Sequence, residues 1–177
     1  MKVICISGYA GAGKDTAGKI FADELSKRGY RTKITHYADL LKYVLKEFFD
    51  WDGKKDKNGR NLLQVIGNDK IRKQNPDFWV DFLITVAKAL PENTDYLIIP
   101  DARYPNEIEK WKENGIPVRH VRITTTRPSS LTEEQKKHRS ETALDGYPYD
   151  ELIRNDGTLD ELRESCKAVL ELKWGVI

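Results

Sequence analysis

The chain has 177 residues, 39% of them hydrophobic and 33% charged, and a net charge of only +2. That length suits one domain with a substantial core, and so small a charge gives no ground for a nucleic-acid or anionic-membrane partner. No apolar run reaches the length of a membrane span, and the two cysteines, Cys5 and Cys166, read as reduced core thiols of a cytoplasmic protein.

Residues 1–7 lead straight into an apolar run, Val3-Ile4-Cys5-Ile6, which predicts a buried strand with no signal peptide before it. The strand runs into Gly8-Tyr9-Ala10-Gly11-Ala12-Gly13-Lys14-Asp15-Thr16, after which Ala17, Ile20, Phe21, Ala22 and Leu25 recur at helical spacing. Strand, glycine-rich turn, lysine and helix form the layout of a phosphate-binding loop; the plain alternative is a structural strand-to-helix turn. Glycines let backbone N–H groups converge on phosphate oxygens, and the helix N-terminus adds partial positive charge. Lys14 would then reach the β and γ phosphates. The position after the lysine, where Ser or Thr ordinarily holds Mg²⁺, is Asp15, followed by Thr16; either offers a hard oxygen ligand.

The first helix is expected to stop at Gly29, and Tyr30 to Tyr37 alternates as a second strand with Thr32, Ile34 and His36 on one face. Asp39 is a cap candidate for an amphipathic helix carrying Leu40, Leu41, Val44, Leu45 and Phe48. Residues 50–59 form a polar, glycine-bounded loop whose lysines read as solvated surface. Arg60 to Lys73 is predicted helical, Asn75-Pro76-Asp77 a turn and cap, and the following helix runs to Leu90. Phe78 and Trp79 open that helix, either as core or as a base-stacking platform.

Asp95 to Asp101 is a second strongly apolar strand, of the kind covered on both faces in a parallel sheet. A helix from Pro105 to Asn114 stops at Gly115, and Val118 to Thr124 is another strand. Thr125 to Thr142 is polar, carries Arg127, Lys136, Lys137, His138 and Arg139, and has no apolar period; it reads as disordered or as a lid. Tyr149 to Arg154 and Thr158 to Leu172 give a last strand and a last helix, and the terminal Trp174-Gly175-Val176-Ile177 is a dimer contact or core packing.

Strands alternating with helices imply α/β with a mainly parallel sheet, and ligands in such sheets sit beyond the carboxyl ends of the strands. The phosphate loop, Asp101 and the Asn155-Asp156-Gly157 turn all follow strands, so they gather on one edge. Asp101 ends an apolar strand where a carboxylate can orient Mg²⁺ or its waters, or else cap a helix. Arg103 can grip phosphate in bidentate fashion, or pair with Glu107 four residues on. Arg60 and Gln64 share a helix face, with Arg72 in the same region. His36, His120 and His138 have no metal-site spacing, no Ser-His-Asp set can be assembled, and the Asn-Lys-x-Asp motif of GTPases is missing. Small phosphotransferases remain.

Six stretches then fall in a recognisable order: Gly13-Lys14-Asp15-Thr16, Arg60-Asn61-Leu62-Leu63-Gln64-Val65-Ile66-Gly67, Asp77-Phe78-Trp79-Val80, Asp101 to Glu107, His138-Arg139-Ser140-Glu141 and Asn155 to Leu159. Together, over nearly the whole chain, they resemble the phage-type deoxynucleoside monophosphate kinases, members of the nucleoside monophosphate kinase group of P-loop proteins. The resemblance implies a three-layer P-loop kinase fold: a five-stranded, mainly parallel sheet flanked by helices, one domain over 1–177, an acceptor-binding region at about 38–90 and a lid at about 125–142. It implies ATP and Mg²⁺ as cofactors, with Gly8, Gly11, Ala12, Gly13, Lys14, Asp15 and Thr16 around the nucleotide and Asp15, Thr16 and Asp101 as metal candidates. Asp39, Arg60, Gln64, Arg72, Trp79, Asp101, Arg103, Glu107, Ser140 and Glu141 fall on the acceptor side, and Arg127, Arg139 and Asn155 on the ATP side. Lys14, Asp15, Arg103, Arg127 and Arg139 are the catalytic candidates. One departure, Asn68-Asp69 in place of a Thr-Glu pair, touches base or sugar selectivity.

The expected reaction is phosphorylation of deoxynucleoside monophosphates by ATP, in a monomer or homodimer located in the cytoplasm, that of the host if phage-encoded. Small nucleotides are the expected partners, with neither nucleic acid nor membrane. Phosphomevalonate and dephospho-coenzyme A kinases share the loop or the fold and stay open as alternatives, as does a nucleotide-dependent switch without phosphotransfer.

Overall fold

The computed structural model describes residues 1–54, 56–90, 93–129 and 131–174. In chain order its elements are β1 (Lys2–Ser7), α1 (Lys14–Lys27), β2 (Thr32–Ile34), α2 (Ala38–Phe48) and α3 (Lys57–Gln64), which continues as a π-helical segment, Val65–Arg72. There follow α4 (Phe78–Lys88), β3 (Tyr96–Ala102), α5 (Asn106–Glu113), β4 (Val118–Thr124), α6 (Glu133–Lys136) and α7 (Arg139–Thr142). The chain then forms β5 (Glu151–Arg154) and α8 (Leu159–Ala168), extended by a second π-helical segment, Val169–Lys173.

The five strands form one sheet in the order β2-β3-β1-β4-β5, and every neighbouring pair is parallel. Parallel neighbours need crossovers, and the helices that supply them cover the faces. This explains why β1 and β3 read as unbroken apolar runs: Val3 to Ile6 and Leu97 to Ile99 are each at most 1% exposed. On one face Ile4, Ile6, Val121, Ile123 and Ile153 pack with Phe21 and Leu25 of α1 and Leu162 and Cys166 of α8. Ile108 and Trp111, one turn apart on α5, are buried as well. Because β1 is central and the chain crosses from β3 on one side of it to β4 on the other, its carboxyl end lies at the switch point of the sheet.

The chain divides into two compact units: one takes in Met1–Thr35 and the described residues beyond Leu90, the other is His36–Leu90. The expected acceptor region falls in the second unit. There the carboxylate of Asp56 caps α3 by accepting from the Gly59 N–H at 2.8 Å. The π-helical turn that follows is built around Gly67, where a Cβ would lie 2.5 Å from Cδ2 of Leu41. The indole N–H of Trp79 donates to the Gly67 carbonyl at 3.2 Å, so the widened turn is packed and hydrogen-bonded at one point.

Several boundaries differ from the sequence expectation. The second strand shrinks to three residues, because only Thr32 to Ile34 find partners on β3. Asp39 sits inside the first turn of α2 rather than at its cap, its carboxylate accepting from the N–H of His36 and from the Lys42 ammonium. Residues 125–142 contain two one-turn helices, too short to show a period; α6 is closed by a Thr132–Gln135 capping box. The last strand begins at Glu151, since the segment before it serves as a connection, and the last helix turns π-helical after Ala168. Trp174 stacks on Phe21 at 6.0 Å, while Gly175 to Ile177 lie outside the described residues, as do Lys55 of the lysine-bearing loop and Ser130 of the 125–142 segment.

Candidate active site

β1 ends at Ser7, and the loop that leaves it turns back so that the Ala12 N–H donates to the Tyr9 carbonyl at 3.1 Å. Gly13 shows why the loop needs glycine. Its φ is +96°, and a Cβ there would lie 2.3 Å from Nδ2 of Asn155. That nitrogen donates to the Ala12 carbonyl at 2.9 Å, and Asn155 is 6% exposed. Asn155 therefore supports the loop from beneath through its backbone.

Lys14, the first residue of α1, is 8% exposed, and its ammonium donates to the carbonyls of Gly8 at 2.8 Å and Tyr9 at 2.9 Å. Burial pushes this lysine down to about 8, and the positive charge of Arg103 pushes the same way, while Glu141, Asp15 and Asp101 oppose both. The same interactions place Arg103 and three carboxylates within electrostatic reach of the lysine. Asp15 and Thr16 are exposed in the first turn of α1, and Asp101 is half-buried near the end of β3. All three present hard oxygens, and Mg²⁺ needs only one or two protein ligands beside phosphate and water, so this donor set fits it.

Arg103 follows β3, and its backbone is fixed by Glu107. That buried carboxylate accepts from the N–H groups of Arg103 at 2.6 Å and Tyr104 at 3.0 Å. The Arg103–Glu107 pairing that the sequence left open as an alternative thus runs through the backbone. The guanidinium of Arg103 turns instead to α7, where Nη1 pairs with Oε1 of Glu141 and donates to the Ser140 carbonyl at 3.3 Å. The other oxygen of Glu141 accepts from the N–H of Ala10 in the loop at 2.9 Å. A single carboxylate thus joins the loop, the residue after β3 and α7.

A second tie lies beside it. The Tyr9 hydroxyl donates to Asp145 at 2.6 Å, Arg122 donates to the other oxygen of Asp145 at 2.7 Å, and the Arg122 guanidinium lies 5.4 Å from the Tyr9 ring centroid. Sequence reasoning missed these three residues, which share no motif and lie far apart in the chain. It also missed His120, buried beneath the end of β1. Its Nδ1–H donates to the Pro148 carbonyl at 2.9 Å, so Nε2 accepts from the Ser7 hydroxyl at 2.7 Å. Burial holds this imidazole below its ordinary range.

At the ends of β4 and β5 the connections interlock. The Thr125 hydroxyl donates to the Asn155 carbonyl at 2.8 Å, and Thr126 donates through its N–H to Asp156 at 2.5 Å, which lowers that carboxyl. The exposed Arg127 donates to the Gly157 carbonyl, and Arg139, the first residue of α7, is exposed. Asp39, Arg60, Gln64, Arg72 and Trp79 belong to the second unit. Arg60 and Gln64 lie on α3, Arg72 ends the π-helical segment and donates to the Pro76 carbonyl at 3.3 Å, and Trp79 is buried. Burial raises the Asp39 carboxyl, but the hydrogen bond from Lys42 and the neighbouring His36 outweigh it and leave the group below its usual range.

A profile of the family described as deoxynucleotide monophosphate kinase matches residues 49–166, more than half of the chain. The chain belongs to that family. It is 30% identical over 113 residues to the deoxynucleotide monophosphate kinase of Escherichia phage RB69, covering 63% of this chain and 44% of that one. To the protein of the same name in Enterobacteria phage T4 it is 32% identical over 116 residues, covering 64% of this chain and 45% of the relative. The chain therefore spans less than half the length of these two relatives. A solved structure of the Mycobacterium tuberculosis APS kinase CysC, in complex with AMPPNP and APS, superposes with a TM-score of 0.52 at 18% identity over 96% of this chain and 97% of that one. This likeness shows the fold: a P-loop kinase sheet flanked by helices. The family match begins at residue 49, so the reading of the glycine-rich loop of this deoxynucleotide monophosphate kinase family member rests on its own geometry. Among the described residues, no helix is long and apolar enough to cross a membrane.

Proposed function

We propose that the protein transfers the terminal phosphoryl group of ATP to deoxynucleoside monophosphates, releasing ADP and deoxynucleoside diphosphates. The observation that carries this reading is the pairing of a buried loop lysine with a strand-end arginine, Lys14 and Arg103, at the switch point of a P-loop kinase sheet in a chain of this family. An acceptor phosphate is already an anion and needs no strong general base. Positioning and neutralisation of charge carry the reaction.

In this reading the N–H groups of the loop and the ammonium of Lys14 hold the β and γ phosphates. Arg103, its backbone locked by Glu107, neutralises charge that builds on the transferring group. Asp15, Thr16 and Asp101 would hold Mg²⁺, which would supply positive charge to offset that of the phosphates. Asn155 keeps the loop open at the right curvature, while Arg127 and Arg139 come from the lid side. Asp39, Arg60, Gln64, Arg72 and Trp79 take the monophosphate. Nucleotides are the partners, the working form is a monomer or homodimer, and the site of action is the cytoplasm.

The test is ADP formation from ATP and Mg²⁺ with dGMP, dTMP, dCMP and dAMP, using GMP and UMP as ribose controls. Turnover on at least one deoxynucleotide is expected. Activity on phosphomevalonate or dephospho-coenzyme A alone would replace the acceptor, and ATP binding with no acceptor-dependent turnover would replace the kinase by a switch.

A further inference from the structure

Resting on the nucleotide-binding reading of the loop, we propose that Glu141 is a latch: an internal carboxylate that occupies the loop and Arg103 until nucleotide phosphate displaces it. The groups holding its two oxygens are the backbone N–H of Ala10 and the guanidinium of Arg103. Loop amides and guanidinium groups are the donors that phosphate oxygens take, and a carboxylate, likewise an anion with two oxygens to present, satisfies them here. The Glu141 side chain is only 8% exposed, so it is seated in the site, and it stands within electrostatic reach of the Lys14 ammonium as well.

The single Ala10 N–H and the Nη1 group of Arg103 cannot serve Glu141 and a phosphate in full at once. Arrival of nucleotide phosphates therefore requires Glu141 to leave, and its departure releases Arg103 toward the phosphoryl groups. The element that must move is weakly built: α7 is a single turn of four residues, held at its start by the Ser140 N–H donating to Nδ1 of His138 at 3.2 Å. The chain just beyond it is tied to the same loop by the Tyr9 hydroxyl on Asp145 at 2.6 Å. Displacing the carboxylate thus pulls on both ties together. Loading of the loop and liberation of Arg103 become one event, which keeps the arginine out of play while the loop is empty.

The latch lowers apparent nucleotide affinity by the fraction of molecules in which it is open. With the latch shut in roughly nine molecules of ten, Glu141→Gln tightens binding of AMPPNP with Mg²⁺ about tenfold, read by titration calorimetry on the full chain. Tyr9→Phe, which removes the tie on Asp145 and leaves every phosphate donor in place, tightens it in the same direction by about two- to threefold. Equal or weaker binding by a Glu141→Gln protein that melts like the wild type overturns the latch and makes Glu141 a ligand of the bound nucleotide or its metal. Should that variant not fold, Tyr9→Phe decides by the same criterion. The deoxynucleotide turnover assay is run on the same preparations. Tightening without turnover retires the proposed acceptor and keeps the latch, whereas turnover without tightening does the reverse.

Discussion

Lys14 gives the most exacting prediction, because its ammonium titrates where an ordinary lysine does not. In the empty loop it lies at about 8, against 10.5 for a free lysine, since burial and Arg103 both disfavour its charge. About nine-tenths of molecules carry the proton at pH 7, about half at pH 8 and about one-tenth at pH 9. Phosphates beside the ammonium hold it charged throughout that range. The bound state then carries more protons than the free state, so affinity must fall as pH rises, by about tenfold between pH 7 and 9. At pH 8 each nucleotide bound takes up about half a proton. Calorimetric titration with AMPPNP in two buffers of different ionisation enthalpy measures that uptake directly. Lys14→Arg is the control, because a guanidinium keeps its charge across the range and should flatten the profile. A wild-type affinity that stays level from pH 7 to 9, with no proton uptake, refutes the reasoning.

The loop and the arginine yield two more expectations. Gly13→Ala places a Cβ 2.3 Å from Asn155 Nδ2 at a φ of +96° and should cost about 1–3 kcal/mol in denaturant unfolding, with nucleotide binding lost. Adding Asn155→Ala relieves the clash but not the backbone strain, so recovery should be partial; full recovery would show that the clash alone was responsible. Arg103→Ala should lower kcat/KM for the acceptor by about 10²–10³-fold without shifting the melting temperature by more than a few degrees, and unchanged kinetics would reduce Arg103 to a surface residue.

Much of this arrangement is legible in the chain itself. The glycine-rich stretch and the two unbroken apolar runs at β1 and β3 announce a covered parallel sheet, because no half-solvated strand tolerates such a pattern. Where legibility fails, the deciding contact is remote or the element is too short. A π-helical turn leaves no mark in a hydrophobic pattern, since it comes from Leu41 and Trp79 closing on Gly67. Glu107 illustrates the same point: an acid four residues after an arginine leaves an ion pair open as one reading, and in the fold its Oε2 accepts from two N–H groups of the turn before α5. The Tyr9, Arg122 and Asp145 cluster spans 136 residues between its first and last members, and no local signal joins them. The Thr132–Gln135 capping box, by contrast, has a spacing that a sequence can show, and it marks a helix start inside the polar, aperiodic segment 125–142.

The hydrogen bond from Asn155 to Ala12 bridges 143 positions, and it has a bearing on how the protein is made. A ribosome delivers the glycine-rich stretch well before the residue that props it. The central strand is in the same position, because its sheet partners β3 and β4 emerge only after a long intervening stretch. A growing chain therefore carries its loop as unshaped peptide until β5 is out and docked. A ligand that binds only the folded form adds stability by mass action, so on the proposed reading ATP would protect molecules whose loop is shaped and would have nothing to grip on those still being synthesised.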